Sequence, residues 1–260
     1  VLYMNGVKTY SYSDSASTAN LASSLSNKVG LIGAEADSGN AGSLGNYVGG
    51  STNDFYLYNF QVLDVVKYTG DSFTPPTDQF SSTSQFVNVW NNVKFSMVWD
   101  TTTSSFIDQK NSHTITNSSV TAVAKGSVPT GGGYGSITGP SHMAYFDGND
   151  YLRCDTMLDW HDDVTKPFTI EFNFYSPTGN FDDSELVIGF NDASNGHNAY
   201  IIGHKIWMIK RSGDGSHFSI YLTWGSYNIS NGTQHQTNPL HFSNNGSNFG
   251  HFAVTYDGNG

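Results

Sequence analysis

Aromatic side chains near Asn-rich turns are the residues of this sequence best suited to bind a sugar. A sugar presents flat C–H faces that stack on aromatic rings, and nearby amides fix its orientation. Tyr227 precedes the Asn-rich stretch "NISNGT", and Trp207 lies in "KIWMIK". We predict that Tyr227, Trp207 and the amide of Asn198 bind ligand. Trp224 is in phase with the apolar residues of "HFSIYLTW", so we assign it to the core.

The carboxylates of the chain do not form a recognisable catalytic pair. Glycoside hydrolysis needs two placed carboxylates, but the only glutamates are Glu35, Glu171 and Glu185, and no spacing singles out an Asp pair. The nine His residues lack metal-binding spacing, and no nucleophile elbow, phosphate-binding loop or dinucleotide fingerprint occurs. We therefore predict no catalytic residues and a protein that is not an enzyme, with polysaccharide hydrolase as the least favoured function.

The charge balance and the lack of a long apolar run exclude two classes of partner. The net charge is −11 with only 11 Lys plus Arg, and no basic cluster is present. We therefore predict no nucleic-acid partner. No run of 18 apolar residues occurs, so no membrane insertion is expected. The single cysteine, Cys154, cannot form an intrachain disulfide and is expected to be a small buried hydrophobe.

Short strands joined by polar turns must position these side chains. Only 13% of the residues are charged, whereas the chain has 28 Gly, 15 Tyr and 17 Phe. Period-two alternation recurs in "FTIEFNFY", "KFSMVWD", "DFYLYNF" and "HFAVTY", and Gly/Asn/Asp/Ser clusters separate such segments. Many short strands with turn signals between them indicate an all-β sandwich of two antiparallel sheets.

Several of these segments resemble one known family. "AYFDGNDYLRC", "KPFTIEFNFYSP" and "HFAVTYDGNG" are similar, in that order, to the laminin-G/concanavalin-A-like lectin domain, and "KFSMVWDTTTSSFIDQKNSHTITNSS" resembles its entry strands. The family continues with a strand like "VLYMNGV", an "IGA" strand, a Gly-rich loop and a closing "DFYLYN" strand. These occur here first rather than last. The resemblance implies a concanavalin-A-like jelly roll in which the first and last strands lie side by side.

The order of the segments divides the chain into three parts. Residues 1–66 correspond to the C-terminal strands of such a domain, and residues 93–260 to its N-terminal and central strands. Residues 67–92 are a Pro/Ser/Thr-rich linker, which resembles the segment that follows such domains in tailed-phage virion proteins. Three explanations stay open: one period of a tandem array, a permuted single domain, or parts of two domains completed by neighbouring chains. We expect the first ten residues to be one strand beside "HFAVTY".

The stretch "IGAEADSGNAG" is the candidate metal site that the resemblance implies. It is similar to the pentraxin branch of the fold, in which a Glu-x-Asp loop binds calcium. By that match Glu35 and Asp37 are ligands, joined by Asp192 and Asn195 of "NDASNGHN". Calcium takes six to eight oxygen ligands, which acidic loops and carbonyls can supply. Ala36 stands where the family has an amide, and solvated turn residues are the alternative interpretation.

The resemblance implies a function outside the cell. We expect a non-catalytic carbohydrate- or host-surface-binding module of an extended virion or cell-surface fibre protein, at the cell exterior or virion surface, with Ca²⁺ as a possible cofactor. The expected partners are a glycan or host surface and neighbouring copies or repeats through strand pairing. The alternative is a purely structural repeat or assembly unit of a fibre or filament.

Overall fold

The computed structural model describes residues 1–11, 28–33, 55–76, 87–110, 113–127, 141–147, 150–154, 167–175, 185–192, 205–210, 217–224, 235–236, 240–243 and 250–257. The strands in them are β1 Leu2–Met4, β2 Val7–Tyr10, β3 Lys28–Ile32, β4 Phe55–Leu63, β5 Val93–Asp100, β6 Ser105–Asp108, β7 Ile115–Ser118, β8 Thr121–Ala124, β9 His142–Phe146, β10 Tyr151–Cys154, β11 Phe168–Tyr175, β12 Glu185–Asp192, β13 Lys205–Lys210, β14 His217–Trp224, β15 His235–Gln236, β16 Leu240–Ser243 and β17 Gly250–Tyr256. Two helical turns, α1 Val87–Trp90 and a 3₁₀ turn Lys125–Ser127, complete these elements. Neither of these described turns is long and apolar enough to cross a membrane.

The strands of the described residues form two antiparallel sheets. The nine-stranded sheet has the order β2-β1-β17-β11-β4-β5-β6, with β9 pairing both β4 and β8. The eight-stranded sheet has the order β15-β14-β13-β12-β3-β10-β7, with β16 beside β14. Helix is almost absent from these residues, so the prediction of an all-β chain is confirmed.

The core lies between the two sheets. Its central residues from the nine-stranded sheet are Phe60, Val62, Phe95, Ile170, Phe172, Phe252 and Val254. Ile32, Leu152 and Cys154 of the eight-stranded sheet belong to the same cluster. Alternation in "FTIEFNFY" and "HFAVTY" correctly predicts which side chains point into this core. Cys154 is 3% exposed and packs as the small hydrophobe expected of it.

Three strands of residues 1–66, β1, β3 and β4, pair with strands from residues 93–260 of the same chain. β1 lies beside β17, with Leu2 opposite Val254. β3 lies between β12 and β10. β4 lies between β11 and β5 in the middle of the nine-stranded sheet. Each sheet is therefore assembled from segments that are far apart in sequence.

The first ten residues form a hairpin, so the expectation of one continuous strand is wrong. Asn5 and Gly6 both have positive φ, at 51° and 76°. Met4 and Val7 face each other across this two-residue turn. Asn-Gly is the sequence that a type I′ turn favours, because both central residues need positive φ. The turn therefore ends β1 after three residues and folds β2 back against it.

A connector that we call the strap, residues 65–76, crosses the outer face of the nine-stranded sheet. It follows β4 directly and contacts the β1–β2 hairpin through its backbone. The amide of Lys8 donates to the carbonyl of Asp71 at 2.9 Å, and the amide of Phe73 donates to the carbonyl of Gly6 at 2.7 Å. The strap thereby covers part of the outer edge of β2, an edge that would otherwise present unpaired backbone groups.

Candidate functional site

A fully buried carboxylate, Glu171, lies at the centre of the outer face of the nine-stranded sheet. Strand alternation directs this side chain away from the core, because its neighbours Ile170 and Phe172 both point inward. Its side chain is nevertheless 0% exposed, since the strap lies over it. A charge in such a place must be paired and hydrogen-bonded to be tolerated.

Three side chains satisfy Glu171. The Lys67 ammonium of the strap forms an ion pair with Oε1, and its side chain is 5% exposed. The Tyr68 hydroxyl, next along the strap, donates to Oε2 at 2.7 Å. His251 of β17 places Nε2 at 3.3 Å from the same oxygen, and its side chain is also 0% exposed. These four residues form what we call the Glu171 cluster.

The electrostatics of the cluster keep Glu171 ionised and Tyr68 protonated. Burial on its own would raise the pKa of Glu171, but the Lys67 ammonium and the hydrogen bond and charge of His251 outweigh it and lower the pKa to about 2. Burial, followed by the negative charge of Glu171, raises the pKa of Tyr68 far above its ordinary range. The carboxylate therefore remains an acceptor and the phenol remains a donor at neutral pH.

Aromatic rings seal the cluster from above. The rings of Tyr68 and Phe73 stack with centroids 3.6 Å apart and planes 5° apart. Phe73 meets the His251 ring edge-on at 5.6 Å, and Tyr3 of β1 packs against Phe73 at 5.3 Å. The Tyr3 hydroxyl donates to the carbonyl of Gly70 at 2.8 Å. The strap is thus held by rings as well as by charge.

The hydroxyl of Thr169 ties the beginning of the strap to β11. It donates to the carbonyl of Val65 at 2.7 Å and accepts from the amide of Lys67 at 3.0 Å. This pair of hydrogen bonds fixes the backbone immediately before the Lys67 and Tyr68 side chains. The two donors of the strap are therefore presented to Glu171 by an ordered backbone.

The rest of the covered face is also polar. Gln61, Ser96, Asn173 and Thr255 are each at most 5% exposed. In the described part of the chain, the buried atoms without a hydrogen-bond partner include Oε1 of Gln61 and Nδ1 of His251. Gln61 is directly opposite Glu171 in the pairing of β4 with β11.

The closed cluster cannot perform general acid–base chemistry on an outside substrate. A catalytic carboxylate must come within hydrogen-bond reach of the substrate, whereas Glu171 is enclosed and already accepts from three donors. The arrangement anchors the strap to the sheet. Nothing in the sequence singles out this cluster, because Lys67 and Tyr68 are about 100 residues from Glu171 and only the path of the strap joins them.

Two of the predicted site residues lie in described strands. Trp207 is in β13 opposite Leu186 of β12. Asp192 is the last residue of β12 and is paired with Lys28, the first residue of β3. The remaining predicted ligands, Glu35, Asp37, Asn195, Tyr227 and Asn198, lie outside the described residues. The two described residues, Trp207 and Asp192, are not paired with each other, and both predicted sets stay predictions.

The described residues carry no ready-made metal centre. Among them, no group of three or more His, Cys, Asp or Glu side chains could hold a metal ion. Of the four predicted calcium ligands, only Asp192 belongs to these residues. The predicted calcium site at Glu35 and Asp37 is therefore not tested by this absence.

The comparisons with known proteins add no assignment to this geometry. No protein-family model, no curated protein and no solved structure matches this chain.

Proposed function

We propose that this chain is a non-catalytic carbohydrate-binding module with a lectin-like jelly roll, carried by an extended virion or cell-surface fibre. The pairing of two of its strands supports this proposal. In the order of the lectin family, "KFSMVWD" is the entry strand and "DFYLYN" the closing strand, and such strands lie side by side. Here the corresponding strands β5 and β4 are paired, with Phe60 opposite Met97.

The burial of Glu171 and the scarcity of other glutamates support a binding function over hydrolysis. It is one of three glutamates in the chain, and hydrolysis of a glycosidic bond needs two accessible carboxylates. Glu171 is enclosed and anchors the strap. A rigid sandwich that presents its ligand-binding groups on loops is a common arrangement for recognition.

The binding groups that we propose are those of the sequence prediction. Tyr227 and Trp207 would stack on the sugar, Asn198 would hydrogen-bond to its hydroxyls, and Ca²⁺ held by Glu35, Asp37, Asp192 and Asn195 would order the loops. An acidic chain of net charge −11 favours neutral or cation-bridged glycans over anionic ones.

A glycan array with bacterial polysaccharides, read with Ca²⁺ and with EDTA, tests this function. We expect binding by the wild-type chain, a loss of at least about tenfold in affinity for Tyr227→Ala, and weaker binding in EDTA. Thr101→Ala, in an exposed turn, is the control and should bind as the wild type does. Absence of binding to every polysaccharide would leave the structural alternative.

That alternative, a spacer or assembly unit of a fibre, is favoured by one specific observation. The connector after β4 is fastened to the sheet by buried ionic and aromatic contacts. A chain segment held so firmly suits a module that must keep a fixed exit direction. Its distinguishing result is a wild-type protein that binds no glycan and shows no change in melting temperature on addition of Ca²⁺.

A further inference from the structure

The outer face of the nine-stranded sheet has the composition of a solvated surface, yet the strap covers the part of it around Thr169, Glu171 and His251. β11 alternates core residues with Thr169, Glu171 and Asn173, a pattern typical of an antiparallel strand with one wet face. Each of these three polar residues is at most 5% exposed. An apolar face would pack better beneath the strap, because a buried ion pair gives little net stability compared with well-packed hydrophobic side chains.

Not every buried polar group on this face is satisfied. Nδ1 of His251 and Oε1 of Gln61 are buried and have no hydrogen-bond partner among the described residues. Both belong to residues that are at most 1% exposed. Buried polar atoms without partners are uncommon and call for an explanation. A second state, in which the face binds a polar molecule in place of the strap, provides one.

The groups that the strap offers to Glu171 define the chemistry of such a molecule. They are an ammonium from Lys67 and a hydroxyl from Tyr68, which approach different oxygens of the same carboxylate. The Tyr68 and Phe73 rings stack face to face beside these groups and add a flat apolar surface. A saccharide with a free amine carries the same three features: an ammonium, neighbouring hydroxyls and a flat C–H face.

We infer that the strap is a displaceable internal occupant of a second sugar-binding face, and that the ligand of this face is an amino sugar whose ammonium replaces that of Lys67 on Glu171. Gln61 and His251 then gain partners from the ligand hydroxyls. This inference rests on the proposed carbohydrate-binding function but concerns the outer face of the nine-stranded sheet instead of the predicted site that includes Tyr227. A ligand that competes for this carboxylate removes the Lys67 and Tyr68 contacts of the strap together.

Hydrogen exchange of the full-length chain tests the displacement directly. The amides of Lys67 and Phe73 are suitable reporters, because they donate to Thr169 Oγ1 and to the carbonyl of Gly6. A glucosamine tetramer should accelerate their exchange, and an N-acetylglucosamine tetramer, which has no ammonium, should not. Equal exchange in both sugars and in buffer would overturn the inference.

Variants of the strap test the same inference through their affinity for the glucosamine tetramer. Lys67→Met leaves the buried carboxylate without its cation, so the strap should open on the order of 100-fold more often. Calorimetry should then show tighter binding of the glucosamine tetramer, and Lys67→Met combined with Glu171→Gln should lose that gain. Phe73→Ala, which keeps the ion pair, is the second variant should Lys67→Met fail to fold. Folded strap variants that bind no more tightly than the wild type would refute the inference.

The two proposals fail in distinguishable ways. Array binding that depends on Tyr227, combined with an unresponsive strap, would retain the proposed function and remove this second face. Binding of the glucosamine tetramer that depends on Glu171 but not on Tyr227 would support the second face and count against the predicted site at Tyr227.

Discussion

Glu171 accepts the buried contacts that fasten the strap to the outer face of the nine-stranded sheet. Removing its charge while keeping its shape breaks the buried ion pair with the Lys67 ammonium. We expect Glu171→Gln to lower the free energy of unfolding by about 3–5 kcal/mol, the usual cost of breaking a buried pair on one side. Urea denaturation followed by Trp fluorescence measures this change.

The matched control for that substitution is the surface pair of Lys8 and Asp71. Its atoms are 3.5 Å apart, and the Asp71 side chain is 96% exposed. Asp71→Asn should leave the denaturation midpoint unchanged, because solvent screens such a pair. Equal effects of Glu171→Gln and Asp71→Asn would show that the buried cluster does not anchor the strap.

The pKa of Glu171 predicts how stability changes in acid. The folded-state value of about 2 lies below the ordinary 4.5, so the carboxylate stabilises the folded chain fully above about pH 4.5. This contribution declines as the pH falls towards 2, where the folded state also becomes protonated. The difference in unfolding free energy between wild type and Glu171→Gln should therefore be largest at pH 5–7 and shrink towards pH 2. A constant difference over that range would contradict the ionised state assigned to Glu171.

Gly6 is the other residue whose identity is fixed by the strap. Its φ is +76°, and a Cβ there would stand 2.0 Å from the carbonyl oxygen of Phe73 and 2.8 Å from Pro75 Cδ. We expect Gly6→Ala to cost about 2 kcal/mol or more in thermal or urea unfolding, from backbone strain together with displacement of the strap. Gly70→Ala is the control, since its Cβ would approach nothing closer than 3.6 Å. A loss of stability as large for Gly70→Ala would show that the cost does not come from the close approach at Gly6.

At the scale of elements, alternation predicts the strands and their inward faces well. Ile170 and Phe172 of β11 and Phe252 of β17 point into the core as "FTIEFNFY" and "HFAVTY" indicate. These assignments succeed because a strand packed on one side must place apolar residues at every second position. Local sequence carries that information completely.

The same rule fails where the backbone changes phase. In β4, Leu57 points into the core, but so does Phe60, because Asn59 adopts a φ of 51° and the pairing with β11 shifts there. A bulge of this kind inserts one residue and moves the pattern by one position. The sequence "FYLYNFQVL" shows the apolar residues but not the break between them.

The strap is the element that sequence patterns describe least. Pro75 and the Ser/Thr-rich stretch after it predict a connector over residues 67–92. In the structure, residues 66–71 form neither strand nor helix, and α1 Val87–Trp90 lies near the end of the predicted range. Local sequence does not indicate that Lys67 and Tyr68 find their partner on β11. That contact depends on the three-dimensional path, so the spacing of residues does not predict the candidate site. The residues predicted to bind sugar, in contrast, follow from local composition.

At the scale of the whole molecule, the two sheets are assembled from both ends of the chain. β4 sits between β11 and β5, and β3 sits between β12 and β10. Neither the strands of residues 1–66 nor those of residues 93–260 can complete a sheet by themselves. The strap adds a further link, because it connects β4, β11 and the β1–β2 hairpin across the outer face. Unfolding should therefore be one cooperative event.

Separating the two parts of the chain tests this assembly. Residues 87–260 alone lack β4, whose buried side chains Leu57, Phe60 and Val62 would each contribute about 1.5–3 kcal/mol to the core. We expect this fragment to show no cooperative unfolding transition, and an equimolar mixture with residues 1–76 to recover one. Glu171→Gln in the larger fragment should weaken the recovery, because the strap travels with the smaller fragment and needs its carboxylate. A larger fragment that folds cooperatively by itself would mean that the central position of β4 is dispensable, and that the sandwich does not depend on its first 76 residues.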